Sequence, residues 1–214
     1  MNVPEEIEEL RKDLIWAKHY VNQYKKLFLN GEKRIDLLNE TAPGFFRDIQ
    51  RMFWNEMIIS VARLMDPYEQ GRQGKHKNLS LQILTKLSKE NKWTFEPEIS
   101  DLINKARKLS EPAIARRMKR VAHRDLPTAM KNVILDKVGI NEIEEALSLA
   151  GQALNVVYLN LTDSSWSWDY VTGHDVGELI HYLKLAVIYN ELTEKENNWV
   201  KEDKLRRSSK YYEA

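Results

Sequence analysis

The sequence predicts an all-α fold, a helical bundle in a single domain, and three observations carry that expectation. Gly (8) and Pro (6) are scarce among 214 residues, so long helices joined by few tight turns are the economical arrangement. Apolar residues recur at spacings of three and four along most of the chain, the period of a helix with one buried face. No convincing strand alternation and no internal repeat interrupts that pattern. A composition 43% hydrophobic and 30% charged belongs to an ordinary globular domain, not a disordered chain.

The first helix is predicted from Pro4 to about Asn30. Ile7, Leu14, Val21 and Phe28 form one column of its seam, and Leu10, Ala17 and Tyr24 form the other. Pro4 suits the first turn, where its missing N–H costs nothing, and Gly31 is a natural stop. The seam suits either a bundle core or a second subunit. A short helix is expected over Glu32 to Leu38. Pro43 and Gly44 then open a long helix that ends near Asp66–Pro67, with Phe46, Ile49, Phe53 and Met57 on one face. Its second half, Met57 to Met65, is apolar nearly all round, so Arg63 within it calls for a partner such as a carboxylate.

Residues 66 to 78, DPYEQGRQGKHKN, read as a mobile loop. Asn78 is placed to cap a helix from Leu79 to about Glu90, with Leu81, Leu84 and Leu87 inward. A further helix is expected from Glu96 to Leu109. Ser110–Glu111–Pro112 reads as a stop and restart, with Ser110 as the new N-cap, and Pro127 should turn the chain soon after His123. Asn141 is expected to cap a helix through Leu161, striped by Ile143, Leu147, Ala150, Leu154, Val157 and Leu161. Thr172 or Asp175 opens a last helix with Val176, Leu179, Leu183 and Val187 inward. The domain is therefore predicted over residues 1–195, and residues 196–214 as a polar, frayed tail.

The absence of Cys excludes disulfides, thiolate metal sites and cysteine nucleophiles, and is compatible with a reducing cytoplasm. No apolar run approaches the ~20 residues needed to span a bilayer. The start, MNVPEE, lacks the basic and apolar parts of a signal peptide. A cytoplasmic protein without membrane contact is the expectation.

The net charge of +1 hides an asymmetry. Between Asn104 and Arg124 lie Lys105, Arg107, Lys108, Arg116, Arg117, Lys119, Arg120 and Arg124, opposed only by Glu111. Such a local positive field suits a phosphate backbone, although the same charges also suit a solvated helix face. Arg116 to Asp125 adds His123, which titrates near neutral pH and suits a general acid or base. Guanidiniums beside it would hold a phosphate and stabilise charge developing on it. These are the parts of a metal-independent ribonuclease, in which the imidazole takes the proton of a ribose 2′-hydroxyl.

At these residues the chain resembles a known family. RMKRVAHRD matches the Arg-x(4–6)-His signature of the HEPN superfamily, as Arg117 and His123. More narrowly it is similar to the U-type abortive-infection (AbiU-like) HEPN proteins of phage defence, which commonly carry RNK-R-(apolar)-AHRD here. Phe45–Phe46, Ala62–Arg63–Leu64–Met65–Asp66–Pro67 and Asn78–Leu79–Ser80–Leu81 extend the likeness. The resemblance implies a HEPN-like helical bundle that pairs as a homodimer, with two Arg/His motifs facing across an RNA-cleaving cleft. It implies Arg117 on the scissile phosphate, His123 as acid/base and Asp125 as an orienting group. Arg116, Lys119, Arg120 and Arg124 would bind RNA phosphates. Met118 stands where many active members carry a polar residue, often Asn. That departure keeps open a catalytically inactive module that binds RNA or a partner protein such as an antitoxin.

Helical geometry adds a constraint. Residues 117 and 123 lie about 120° apart on an ideal helix, so they share a face only where the helix bends or ends. Arg116, Arg120 and His123 do share one at spacings of four and three, so Arg116 and Arg120 rival Arg117 as the phosphate ligand. As an alternative role, a histidine near a helix C-terminus also compensates the dipole.

Four weaker signals remain in the sequence. His123–Arg124–Asp125–Leu126 mimics a kinase catalytic loop, but Met130 replaces the required Asn and no Gly-rich loop exists. His174, Glu178 and His181 align as half of a di-iron site without its second half, so no metal and no cofactor are expected. Trp166, Trp168 and Tyr170 suit an aromatic lid or a dimer contact. The tail's Lys204, Arg206, Arg207 and Lys210, with Tyr211 and Tyr212, offer charge and stacking for RNA, or simple solvation.

Overall fold

The computed structural model describes residues 3–70, 76–121, 126–130, 135–167 and 175–195. These residues form an all-α fold with eight α-helices: α1 (Glu5–Phe28), α2 (Glu32–Thr41), α3 (Pro43–Leu64), α4 (Gln82–Glu90), α5 (Glu96–Arg116), α6 (Leu126–Ala129), α7 (Ile140–Thr162) and α8 (Asp175–Lys195). Two two-residue strands, β1 (Glu69–Gln70) and β2 (His76–Lys77), pair antiparallel between α3 and α4. No helix among the described residues is long and apolar enough to cross a membrane.

Two compact units divide the chain. The first takes Met1–Lys25 and Asp48–Thr172, the second Lys26–Arg47 and Gly173–Ala214. The core of the first unit is the seam read from sequence: Ile7, Leu10, Leu14, Ala17 and Val21 of α1 are buried with Met57, Ile58, Val61 and Leu64 of α3. The stripe of α7, Ile143, Leu147, Ala150, Leu154 and Val157, joins the same cluster, and α5 packs against both α4 and α7. In the second unit α2 packs on α8, and Leu38, Phe46, Val176 and Ile180 are buried.

Several elements depart from their sequence expectation. Gly31 has a left-handed φ of +88° and stands at the start of α2, which runs on to Thr41. Arg63 pairs with the Asp13 carboxylate at 3.5 Å, but it is half-exposed, so the end of α3 is not covered all round. The polar segment after α3 is tied into the β1–β2 ribbon at residues 69–70 and 76–77, while residues 71–75 lie outside the described residues. Asn78 caps no helix. Its amide donates to the Pro67 carbonyl at 2.8 Å and closes the ribbon, and α4 begins three residues later than expected.

The stop and restart at Ser110 is also absent. α5 runs continuously through Pro112, and the Ser110 hydroxyl donates to the Ala106 carbonyl one turn back. Pro112 forfeits one intrahelical hydrogen bond, yet burial of Ala106 and Ala113 on either side holds the helix together. α7 starts at Ile140 with Gly139 as its cap residue, so Asn141 lies inside the helix. On α8, Val176 and Ile180 are the buried residues. Leu179 is exposed, and Leu183 and Val187 are only half-buried. The predicted tail, 196–214, lies outside the described residues.

Candidate functional site

The candidate site is built around the end of α3. A helix C-terminus carries partial negative charge and leaves carbonyls without intrahelical donors. Asp66, two residues beyond Leu64, adds a carboxylate to that end, and three other segments converge on it. The Leu81 N–H donates to the Leu64 carbonyl at 2.9 Å. Arg107 of α5 donates from Nη1 to the Met65 carbonyl at 2.9 Å. Arg117 donates from Nη1 and Nη2 to the two Asp66 oxygens, each at 2.7 Å.

The Arg117–Asp66 fork is the parallel, two-bond arrangement that makes a guanidinium–carboxylate pair both strong and directional. The two side chains keep only 21% and 18% of their surface exposed, so water screens the pair weakly. Hydrogen bonding to Asp66 holds the Arg117 pKa above its ordinary value, with the carboxylate's charge adding to the effect and burial opposing it. The fork uses two of the five guanidinium N–H donors.

The chain leaves α-geometry at this arginine. Arg117–Val121 form a π turn, whose hydrogen bonds reach five residues instead of four. The turn is tied down at both ends, by Arg117 on Asp66 and by Val121 packed against the core. Between those anchors Met118, Lys119 and Arg120 face solvent. α6 packs on the turn, with Pro127 in its own first turn, where the missing N–H is tolerated.

These facts place the residues read from sequence. Arg116 ends α5 half-buried, and neither it nor Lys119 or Arg120 takes part in an ion pair among the described residues. Lys105 is engaged by Asp101 at 2.7 Å. His123, Arg124 and Asp125 lie outside the described residues. The shared face of Arg116, Arg120 and His123 assumed 3.6 residues per turn throughout. The π turn after Arg116 removes that assumption. It also supplies the break in the helix between Arg117 and His123 that a common face for those two requires.

Sequence reasoning missed Asp66 and Arg107 as parts of the site. A signal was available: a carboxylate just past a helix C-terminus is unfavourable unless a cation answers it. The basic run opposite held several candidates, but pairing over 51 residues of sequence is not encoded in local spacing.

Two other expectations meet the structure at α7 and α8. Trp166 is clamped to α7: Asn155 donates to its carbonyl at 2.9 Å and accepts from its N–H at 3.0 Å. The Trp166 ring meets Tyr158 edge-on, and the Arg11 guanidinium lies 4.1 Å over its centre. Trp168 and Tyr170 lie outside the described residues, as does His174. Glu178 and His181 are exposed, and no group of three or more His, Asp or Glu able to hold a metal occurs among the described residues.

A family model described as AbiU2, of the HEPN type, matches residues 2–182. The match spans α1 through the first turns of α8, and with them the Asp66–Arg117 fork and the π turn. No curated protein and no solved structure gives a significant match.

Proposed function

The chain belongs to the AbiU2 family of HEPN proteins, and from that premise we propose that it is a metal-independent endoribonuclease of an abortive-infection system. The observation that carries this reading is the basic π turn. Lys119 and Arg120 stand exposed on a segment fixed at its root by the Arg117–Asp66 fork and leading directly to His123. Fixed donors facing a bound phosphate need no reorganisation when charge builds on it.

In the proposed reaction His123 takes the proton of a ribose 2′-hydroxyl. The 2′-oxygen attacks the adjacent phosphorus, and the bond to the 5′-oxygen breaks. The equivalent histidine of a second copy, protonated, delivers a proton to that leaving oxygen. Arg117, with three N–H donors beyond the fork, and Arg116 and Arg120 stabilise the charge on the phosphoryl oxygens. Asp125 orients the imidazole, and Arg124 and Lys119 hold flanking phosphates. A homodimer supplies the two motifs of the cleft, and an antitoxin-like protein would restrain it. The setting proposed is the cytoplasm.

The test is product chemistry. Purified protein incubated with mixed-sequence RNA in EDTA should leave 2′,3′-cyclic phosphate and 5′-hydroxyl ends. An RNA with 2′-deoxyribose at the cut position should resist. Cleavage of that RNA, or a strict need for a divalent metal, would contradict the mechanism. Met118 favours a second reading. It is 57% exposed, an apolar side chain at the head of the basic turn, and suits an inactive module that docks RNA or a protein. RNA binding without any cleavage would select that reading.

A further inference from the structure

The β1–β2 ribbon contributes nothing to the core: all four of its residues are exposed. A two-stranded ribbon this short is not stable by itself, yet it is firmly held. The Asn78 N–H donates to the Tyr68 carbonyl at 2.8 Å, and the Asn78 amide donates to Pro67 and to Gln70. Lys86 of α4 reaches the Tyr68 hydroxyl at 3.2 Å and lies 4.6 Å over its ring. The ribbon therefore starts from the same α3 end that grips Arg117, with Asp66 at its root.

That support sets how far apart the two elements can be. Asp66 and Glu69 are three residues apart, and Lys77 sits directly across from Glu69. The Lys77 backbone thus lies within about 17 Å of the Asp66 backbone. Lys77 and His76 are exposed on the ribbon, and Lys119 and Arg120 are exposed on the π turn. Lys77 has no ion pair among the described residues, and its ammonium lies 6.0 Å over the centre of the Tyr68 ring.

We propose that the β1–β2 ribbon is a second RNA-contacting element, with Lys77 and His76 holding backbone phosphates of the strand that crosses the π turn. The inference rests on the ribonuclease reading for its ligand, single-stranded RNA, and adds where the strand runs. Single-strand binding grooves track about 4–16 nucleotides with spaced cations, and Asp66 is the common root of two such positions, the π turn through Arg117 and the ribbon through the chain. Lys77 is a point charge on a flexible stem, suited to a phosphate and not to a base edge.

The experiment measures binding of a labelled single-stranded RNA of about 12 nucleotides by fluorescence anisotropy, in EDTA across a salt series. The His123→Ala background keeps the RNA intact. Lys77→Ala should weaken binding and make the log Kd against log salt slope shallower by about 0.7, the value of one lost single-strand contact. Lys77→Glu should weaken it further, and Lys77→Arg should restore the wild-type slope. Unchanged slope and affinity in Lys77→Ala and Lys77→Glu would overturn the inference, and would leave the ribbon for a protein partner. Ribbon-dependent binding without cleavage in the His123-intact protein would sink the ribonuclease reading alone. Cleavage with ribbon-independent binding would sink the ribbon alone. No salt-dependent RNA binding would sink both.

Discussion

Arg117 and Asp66, 51 residues apart in sequence, meet in a two-bond fork with both contacts at 2.7 Å. The fork joins the end of α3 to the point where α5 gives way to a π turn. It thus links two of the sequence segments that carry the family likeness, ARLMDP at residues 62–67 and the Arg/His run. Another of them, Asn78–Leu81, bonds to the same helix end through Asn78 and Leu81.

Removing Asp66 tests the weight of that joint. Asp66→Ala leaves a partly buried guanidinium without its acceptor. A cost of about 1–3 kcal/mol is expected, between that of an exposed ion pair and a fully buried one. Urea unfolding of Asp66→Ala, Arg117→Ala and the double variant checks it. The double-mutant cycle should return a coupling energy favouring the pair, and additive losses would contradict the fork.

Arg117 and Arg120 should separate cleanly by stability. Arg120→Ala, exposed and unpaired among the described residues, should shift unfolding by no more than about 0.5 kcal/mol while reducing RNA affinity. Arg117→Ala should lower both. Equal destabilisation by the two would mean that the turn is anchored differently.

The seam of α1 gives a packing prediction. Leu14 is fully buried and Trp16, two residues on, is 56% exposed. Leu14→Ala should cost about 2–5 kcal/mol, and Trp16→Ala far less. Thermal unfolding of the two variants reads this directly.

Tyr158 gives a pH prediction. Burial pushes its pKa up to about 12, with the neighbouring Glu8 carboxylate adding to the effect and Arg11 opposing it. The folded state thus favours the neutral phenol more than the unfolded chain does. Its contribution is fully present below the unfolded value of about 10 and is lost as pH rises from there through about 12. Tyrosinate absorbance should show one residue titrating late, and Tyr158→Phe should remove it. It should also flatten the stability loss across that pH window.

Much of the fold was legible because local rules and packing agreed. The α1 seam and the α7 stripe are buried as their period requires, since each faces one continuous core. Where local signals competed with tertiary contacts, the contacts won. Ser110 and Asn78 are good cap residues, yet Ser110 bonds back within α5 and Asn78 closes the ribbon. The basic run was visible as charge, but its sorting was not. Arg107 and Arg117 bond to a helix end far away in sequence, and Lys119 and Arg120 stay exposed. The π turn itself has no period that a reading at 3.6 residues per turn can detect.

The most direct test of the central claim is the rate of RNA cleavage in EDTA by wild-type protein and by His123→Ala. Loss of a general acid–base group costs about 10²–10⁴-fold. The wild type should cut, and the variant should lose cleavage by that factor while keeping the fold and RNA binding. Equal cutting by both proteins, or no cutting by the wild type on varied RNAs, would contradict it.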